Sequence, residues 1–160
     1  MAATPPETSV VEHEVRIQAR PEIVFSYFTD PAKIVRWMGS EATLDPRPGG
    51  VCRIAFDDEA AALGAFVELE PNRRIVFTWG WEAQWFQMPP QSTTVEVLLV
   101  PDGEATIVRL AHSRLPVGAS EFHRTGWQHY LGRLTIAATG AEPGPDALAA
   151  ALRAEDPRSA

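Results

Sequence analysis

The feature that most constrains the fold is a series of short alternating runs between Glu41 and Arg114, each bounded by turn residues. Within each run an apolar side chain recurs at every second position, which is the period of a β-strand with one buried face. Turn sequences such as Pro48-Gly49-Gly50 and Pro101-Asp102-Gly103 separate neighbouring runs. The pattern predicts six strands joined by hairpins, and therefore an antiparallel sheet.

One long amphipathic segment follows the strands, over residues 118–139. At 100° per residue, one stripe of this predicted helix carries His123, Trp127, Tyr130, Leu131, Leu134 and Ala138. An alternating run from Val10 to Ala19 adds a seventh strand, and two short helices begin at Pro21 and Pro31. The second of these is expected to reach about Met38. The predicted fold class is α+β: a curved seven-stranded antiparallel sheet around a long C-terminal helix, with two short helices after strand 1.

The inward faces of two central strands follow from the same alternation. In one strand Ala65, Val67 and Leu69 are expected to share a face. In the next, Ile75, Phe77, Trp79 and Trp81 are expected to do so. A strongly curved sheet over a single helix leaves space between the two layers, so a mainly apolar pocket is predicted there.

Length and composition bound the remaining possibilities. The 160 residues predict one domain over 10–140, with a disordered tail over 1–9 and a partly helical or disordered tail over 141–160. The formal net charge of −7 argues against nucleic acid or an anionic membrane as partner. Cys52 is the single cysteine and is expected to be an inert buried thiol. No signal peptide, membrane-spanning run, metal-ligand cluster or cofactor fingerprint occurs, which predicts a cytoplasmic protein without metal or cofactor.

Aromatic residues concentrate in the segment from Phe77 to Phe86. Phe77 and Trp79 are interpreted mainly as core. Trp81, Trp85 and Met88 run into a proline-rich loop, which favours a pocket rim. Trp37 lies at the end of the second short helix, and a role in the core and a role in the pocket wall are equally open for it. The predicted ligand-binding residues are Trp37, Phe56, Trp79, Trp81, Trp85, Met88, Val97, Leu110, His112, His123, Trp127, Tyr130 and Leu131.

His112 is the weak candidate for a catalytic residue, because strand alternation places it inward with Val108 and Leu110. A buried histidine with protein partners is structural, whereas one that faces open cavity beside His123 can act as a general base. Tyr130 offers a hydroxyl on the same inner stripe. The sequence favours the structural role for His112.

Several motifs, in their order and spacing, resemble the START/Bet v 1-like (SRPBCC) superfamily. They are closest to the branch named after the activator of the heat-shock protein 90 ATPase, in its bacterial stand-alone single-domain form. The matching segments are residues 19–25, 29–37, 45–50, 64–79, 126–134 and 142–146. The resemblance implies a helix-grip fold with a cavity between the sheet and the last helix.

Function is predicted less sharply than fold, because the superfamily contains carriers, receptors, cyclases and chaperone regulators. The preferred hypothesis is the binding of a small, largely hydrophobic molecule in the internal cavity. One alternative is an enzyme of the cyclase, dehydratase or hydrolase type that uses His112. The other is a module that regulates a chaperone ATPase; a chaperone partner is disfavoured, since the chain has no room for the separate chaperone-binding domain of the eukaryotic activators. Homodimer formation stays open.

Overall fold

The computed structural model describes residues 7–56, 60–83 and 87–148. The strands are β1 (Thr8–Ile17), β2 (Glu41–Leu44), β3 (Val51–Ala55), β4 (Ala61–Glu70), β5 (Arg74–Trp79), β6 (Thr93–Asp102) and β7 (Ala105–Pro116). The helices are α1 (Pro21–Thr29), α2 (Pro31–Ile34) and α3 (Ser120–Ala137), and a 3₁₀ turn at Val117–Ala119 precedes α3.

The seven strands form one curved antiparallel sheet in the order β1-β7-β6-β5-β4-β3-β2. Strands β2 to β7 follow one another as a meander, and β1 closes the opposite edge by pairing with β7. Helix α3 crosses the inner face of this sheet and contacts β1. The predicted α+β fold, with its seven strands, short helices and C-terminal helix, is confirmed.

Local signals explain where the helices begin and end. Pro21 and Pro31 occupy the first positions of α1 and α2, and the Asp30 carboxylate accepts a hydrogen bond from the Ala32 amide at 2.9 Å. Helix α2 ends at Ile34, before the predicted Met38, and the chain continues in tight turns to Trp37. Helix α3 is two residues shorter at each end than predicted.

The structure corrects three details of the predicted strands. β1 begins at Thr8, within the segment predicted as a disordered tail. In β4 the predicted inward face is wrong: Phe66 is 1% exposed and Val67 is 51% exposed. A register shift between Phe66 and Glu68 explains why the face changes along this strand, since a bulge adds one residue that the partner strand does not match.

The third correction concerns the end of β5, which stops at Trp79 rather than continuing through Trp81. Gly80 lies against the backbone of the following loop, where a Cβ atom would fall 1.8 Å from the Pro89 carbonyl oxygen. Only glycine permits that approach. Trp81 is then held by an isolated bridge to Ala62 of β4, and its side chain still points into the interior.

A single hydrophobic core fills the space between the sheet and the helices. The predicted inner stripe of α3 is buried at every position: His123, Trp127, Tyr130, Leu131, Leu134 and Ala138. Cys52 is also buried, as expected of a small apolar side chain. Within the described ranges, no helix is both long and apolar enough to cross a membrane.

Candidate functional site

A small cavity lies between the sheet and the first half of α3, at the end of the sheet where β3 and β5 finish. Its volume is about 30 Å³, which is room for one or two water molecules. Pockets that enclose a drug-sized ligand are about 300–1,000 Å³. Ten residues line it: Met38, Phe56, Trp79, Trp81, Phe122, His123, Gly126, Trp127, Tyr130 and Leu148.

Six of the predicted site residues line this cavity: Phe56, Trp79, Trp81, His123, Trp127 and Tyr130. The prediction missed Met38, Phe122, Gly126 and Leu148. Gly126 was within reach of the sequence, because it lies three residues after His123 and four before Tyr130 on the same helix face. Leu148 carries no local signal, since it reaches the cavity only through the path of the chain after α3.

Other predicted site residues lie elsewhere in the core. Trp37 is fully buried, and its Nε1–H donates to the Tyr27 carbonyl oxygen at 2.9 Å. Three aliphatic residues (Val97, Leu110 and Leu131) are also core side chains that do not border the cavity. All of these side chains point inward, but the cavity occupies only one end of the interior.

Trp81 and Met88, which the sequence placed at the pocket rim, are both buried in the structure. Their side chains are only 3% and 2% exposed. The backbone amide of Trp81 donates to the Met88 carbonyl oxygen at 2.8 Å, which pairs the backbone at these two positions. The third rim residue, Trp85, lies outside the described residues.

His112 is held on both ring nitrogens by protein groups. Trp127 Nε1–H donates to His112 Nδ1 at 2.9 Å, so Nδ1 carries the lone pair and Nε2 carries the proton. Nε2–H then donates to Thr93 Oγ1 at 2.7 Å, and the Thr93 hydroxyl donates to the Trp79 carbonyl oxygen at 2.6 Å. His112 does not line the cavity. With no free nitrogen, it cannot take a proton from a substrate in this arrangement.

His123, which lies on α3, also has both ring nitrogens hydrogen-bonded to protein groups. Trp81 Nε1–H donates to His123 Nε2 at 3.1 Å, and His123 Nδ1–H donates to the Ala119 carbonyl oxygen at 2.8 Å. The two imidazole rings are 5.2 Å apart between centroids. Unlike His112, His123 borders the cavity. Each imidazole therefore serves as the acceptor for one indole.

Burial keeps both imidazoles neutral. Desolvation, followed by the neighbouring His123, lowers the pKa of His112 to about 2. Desolvation also lowers the pKa of His123 below its ordinary value, against the opposing hydrogen bond to Ala119. A neutral imidazole has one acceptor nitrogen, which in each ring is the one that receives the indole proton.

Trp79 is left without a partner in this cluster. Its indole packs against Trp81 and Trp127, with ring centroids 5.5 and 5.3 Å away. Its Nε1–H is buried and has no hydrogen-bond acceptor, whereas the N–H groups of the other three described tryptophans are all paired. An unpaired buried donor costs roughly 1–3 kcal/mol.

Residues 141–148, which we call the return segment, bring one side chain to the cavity wall. Leu148 lines the cavity, and Asp146 anchors the segment to α3. The Tyr130 hydroxyl donates to Asp146 Oδ2 at 2.7 Å, and His129 Nε2 lies 2.8 Å from Asp146 Oδ1. Burial, and then this carboxylate, raise the pKa of Tyr130 above its ordinary value, so the phenol stays protonated and donates.

Arg133 strengthens the attachment of the return segment. Its Nη1 donates to the carbonyl oxygens of Gly144 and Pro145 at 2.9 and 3.3 Å, and its Nε donates to the Trp37 carbonyl oxygen at 3.1 Å. The backbone enters the segment through Gly140, at φ +90°, a conformation that favours glycine. The return segment is therefore held mainly by polar contacts, of which those of Asp146 are part-buried and those of Arg133 to Gly144 and Pro145 are exposed.

The buried thiol and the possible metal donors provide no second site. Desolvation raises the pKa of Cys52 to about 12, so the nucleophilic thiolate is not formed near neutral pH. In the part of the chain that the structure describes, no three His, Cys, Asp or Glu side chains come together as metal ligands.

Comparison with known proteins now places the fold in a family. Residues 18–139 match the family model described as activator of Hsp90 ATPase homolog 1-like protein. The chain belongs to this family. It is 42% identical to an AHSA1-like protein from Rhizobium etli, over 92% of each chain, and the two structures align with a TM-score of 0.72. The resemblance drawn from the motifs is confirmed.

Two more distant solved structures share the fold, and one curated relative matches in sequence. DynU16, a protein of the dynemicin biosynthetic locus, is 24% identical with a TM-score of 0.72, over 86% of this chain and 50% of that one. The Aha1 dimer from Colwellia psychrerythraea is 19% identical with a TM-score of 0.70, over 81% and 96%. An uncharacterized protein of Schizosaccharomyces pombe is 26% identical over 79% of this chain, which spans only 36% of that relative.

Proposed function

We propose that this AHSA1-like protein binds a small, mainly apolar molecule in the cavity beneath the first half of α3. The observation that carries the proposal is the cavity itself, walled by aromatic rings and roofed by Gly126. A glycine inside a helix costs about 1 kcal/mol relative to alanine. A Cβ atom at Gly126 would meet no neighbour within 4 Å, so this position can accept a side chain beside the cavity.

Any molecule larger than a few atoms must enlarge this cavity of about 30 Å³. The wall suited to move is the return segment, because polar contacts from Tyr130, His129 and Arg133 hold most of it in place. Water can replace the exposed contacts of Arg133 at small cost. Leu148 would then leave its place in the wall and admit the ligand.

Binding is favoured over catalysis by the state of the two histidines. His112 and His123 have both ring nitrogens engaged and are neutral. A general base needs a free nitrogen within reach of the substrate proton. Tyr130 is likewise occupied with Asp146. The family name refers to chaperone activation, but the proposal rests on the cavity and does not extend to a chaperone.

The test is a titration of ¹⁵N-labelled protein with benzene and toluene, followed by the indole and backbone N–H resonances. We expect saturable shifts at residues around the cavity. Gly126→Leu places a side chain in the cavity roof and should abolish them. Gly132→Leu is the matched control, because Gly132 is on the same helix, also has open space around it, and does not line the cavity.

Two results would overturn the proposal. One is the absence of saturable shifts with either hydrocarbon in the parent protein. The other is equal binding by Gly126→Leu and the parent, which would place the ligand elsewhere. Loss of binding in Gly132→Leu as well would also count against the cavity, since that variant leaves its lining unchanged.

A further inference from the structure

The tryptophan and histidine side chains around the cavity contain one more indole N–H donor than imidazole acceptor nitrogen. Three indole N–H groups, from Trp79, Trp81 and Trp127, lie beside two imidazoles. Each neutral imidazole has a single acceptor nitrogen. His123 uses its acceptor for Trp81, and His112 uses its acceptor for Trp127. The Trp79 N–H is the one that remains.

Trp79 also lies in the wall of the cavity, within reach of a bound ligand. Its ring lines the cavity, and the residue is only 4% exposed. The Nε1–H is shielded from solvent and has no partner. No protein group satisfies this donor, so a molecule that enters the cavity and spreads the aromatic wall can supply the acceptor.

We infer that Trp79 Nε1–H donates a hydrogen bond to the bound ligand. The ligand class is then an apolar molecule with one hydrogen-bond acceptor, such as a ketone or ether oxygen, rather than a pure hydrocarbon. This inference rests on the proposed function and adds one specificity-determining residue to it. A ligand with a strong donor is disfavoured, because both imidazole acceptors are already in use.

Cyclohexanone and methylenecyclohexane test this inference, because they have nearly the same shape and differ in one acceptor. Their dissociation constants are measured with the parent, Trp79→Phe and Trp37→Phe. The preference for the ketone should be about three- to tenfold larger in the parent than in Trp79→Phe, as expected for one neutral hydrogen bond. Trp37→Phe should keep the parent's preference, since its N–H donates to Tyr27 away from the cavity.

A second measurement does not depend on the variants. In the parent, cyclohexanone should move the Trp79 indole proton downfield, and methylenecyclohexane should not. The resonance is assigned from its contacts with the Trp127 ring, so the measurement holds even where Trp79→Phe fails to fold.

Equal preferences in the parent and Trp79→Phe would overturn the assignment of Trp79, as would an unmoved Trp79 resonance with bound ketone. In either case hydrocarbon binding would leave the proposed function standing. Absence of binding by cyclohexanone, methylenecyclohexane, benzene and toluene alike would overturn both proposals.

Discussion

The buried stripe of α3 faces closely packed core along the second half of the helix and borders the cavity along the first half. The second half contributes Leu131, Leu134 and Ala137, which are fully buried in the hydrophobic core. The first half contributes His123, Gly126 and aromatic residues that border the cavity. Branched aliphatic side chains pack closely in many orientations. Flat rings whose N–H groups must meet particular acceptors are more constrained, and a void remains beside them.

The largest expected effect lies in the packed half. Leu134→Ala should lower the free energy of unfolding by about 2–5 kcal/mol, because the cavity it creates cannot be filled by a neighbour. Urea denaturation followed by far-UV circular dichroism measures this, and benzene affinity of the folded variant should stay unchanged. A loss below about 1 kcal/mol would show that this half of the helix is not closely packed.

The next effect distinguishes the halves by pH, since the buried histidine pair lies beneath the first half only. The unfolded chain binds a proton at His112 near pH 6.5, but the folded protein does so only near pH 2. Stability is therefore full above about pH 6.5 and decreases as the pH falls towards 2. Below about pH 5.5 the slope from His112 approaches about 1.4 kcal/mol per pH unit, and His123 acts in the same direction.

His112→Gln is the matched control for this pH dependence. Its amide can accept from Trp127 and donate to Thr93, yet it does not titrate. Thermal melts between pH 7 and pH 4.5 should show a shallower decline in this variant than in the parent. Parallel curves for the two proteins would mean that His112 is accessible to protons in the folded state.

A smaller effect is expected at the contact between the first half of α3 and the return segment. Tyr130→Phe removes the hydroxyl that donates to Asp146, and it should lower stability by about 0.5–1.5 kcal/mol. Benzene should also enter and leave faster, which line-shape analysis of the titration measures. Unchanged exchange rates together with the lost stability would show that the return segment does not control entry.

The smallest effect has the opposite sign. Gly126→Ala and Gly132→Ala should each stabilise the protein by up to about 1 kcal/mol, because both lie inside α3 with open space around them. Only Gly126→Ala should weaken benzene binding. Thermal melts and the same titration make the comparison, and weaker binding in Gly132→Ala would argue that helix rigidity, rather than cavity space, controls affinity.

The candidate site was less predictable than the fold. Helical spacing placed His123, Trp127 and Tyr130 on one buried stripe, and all three line the cavity. The same kind of argument assigned Val97, Leu110 and Leu131 to the site, although they belong to the core beyond it. The loop composition around Met88 suggested a rim, but Met88 is buried and its carbonyl oxygen pairs with the Trp81 amide.

The sequence by itself determined the strands, their hairpin order and the buried stripe of α3, because period and turn chemistry are local properties of the chain. Tertiary structure decided which buried residues meet at the cavity, how the histidines divide the indole donors, and where Leu148 returns. Those outcomes depend on sheet curvature, on the bulge in β4 and on contacts between residues far apart in sequence. Periodicity specifies the face on which a side chain lies, but only the folded arrangement specifies what lies opposite it.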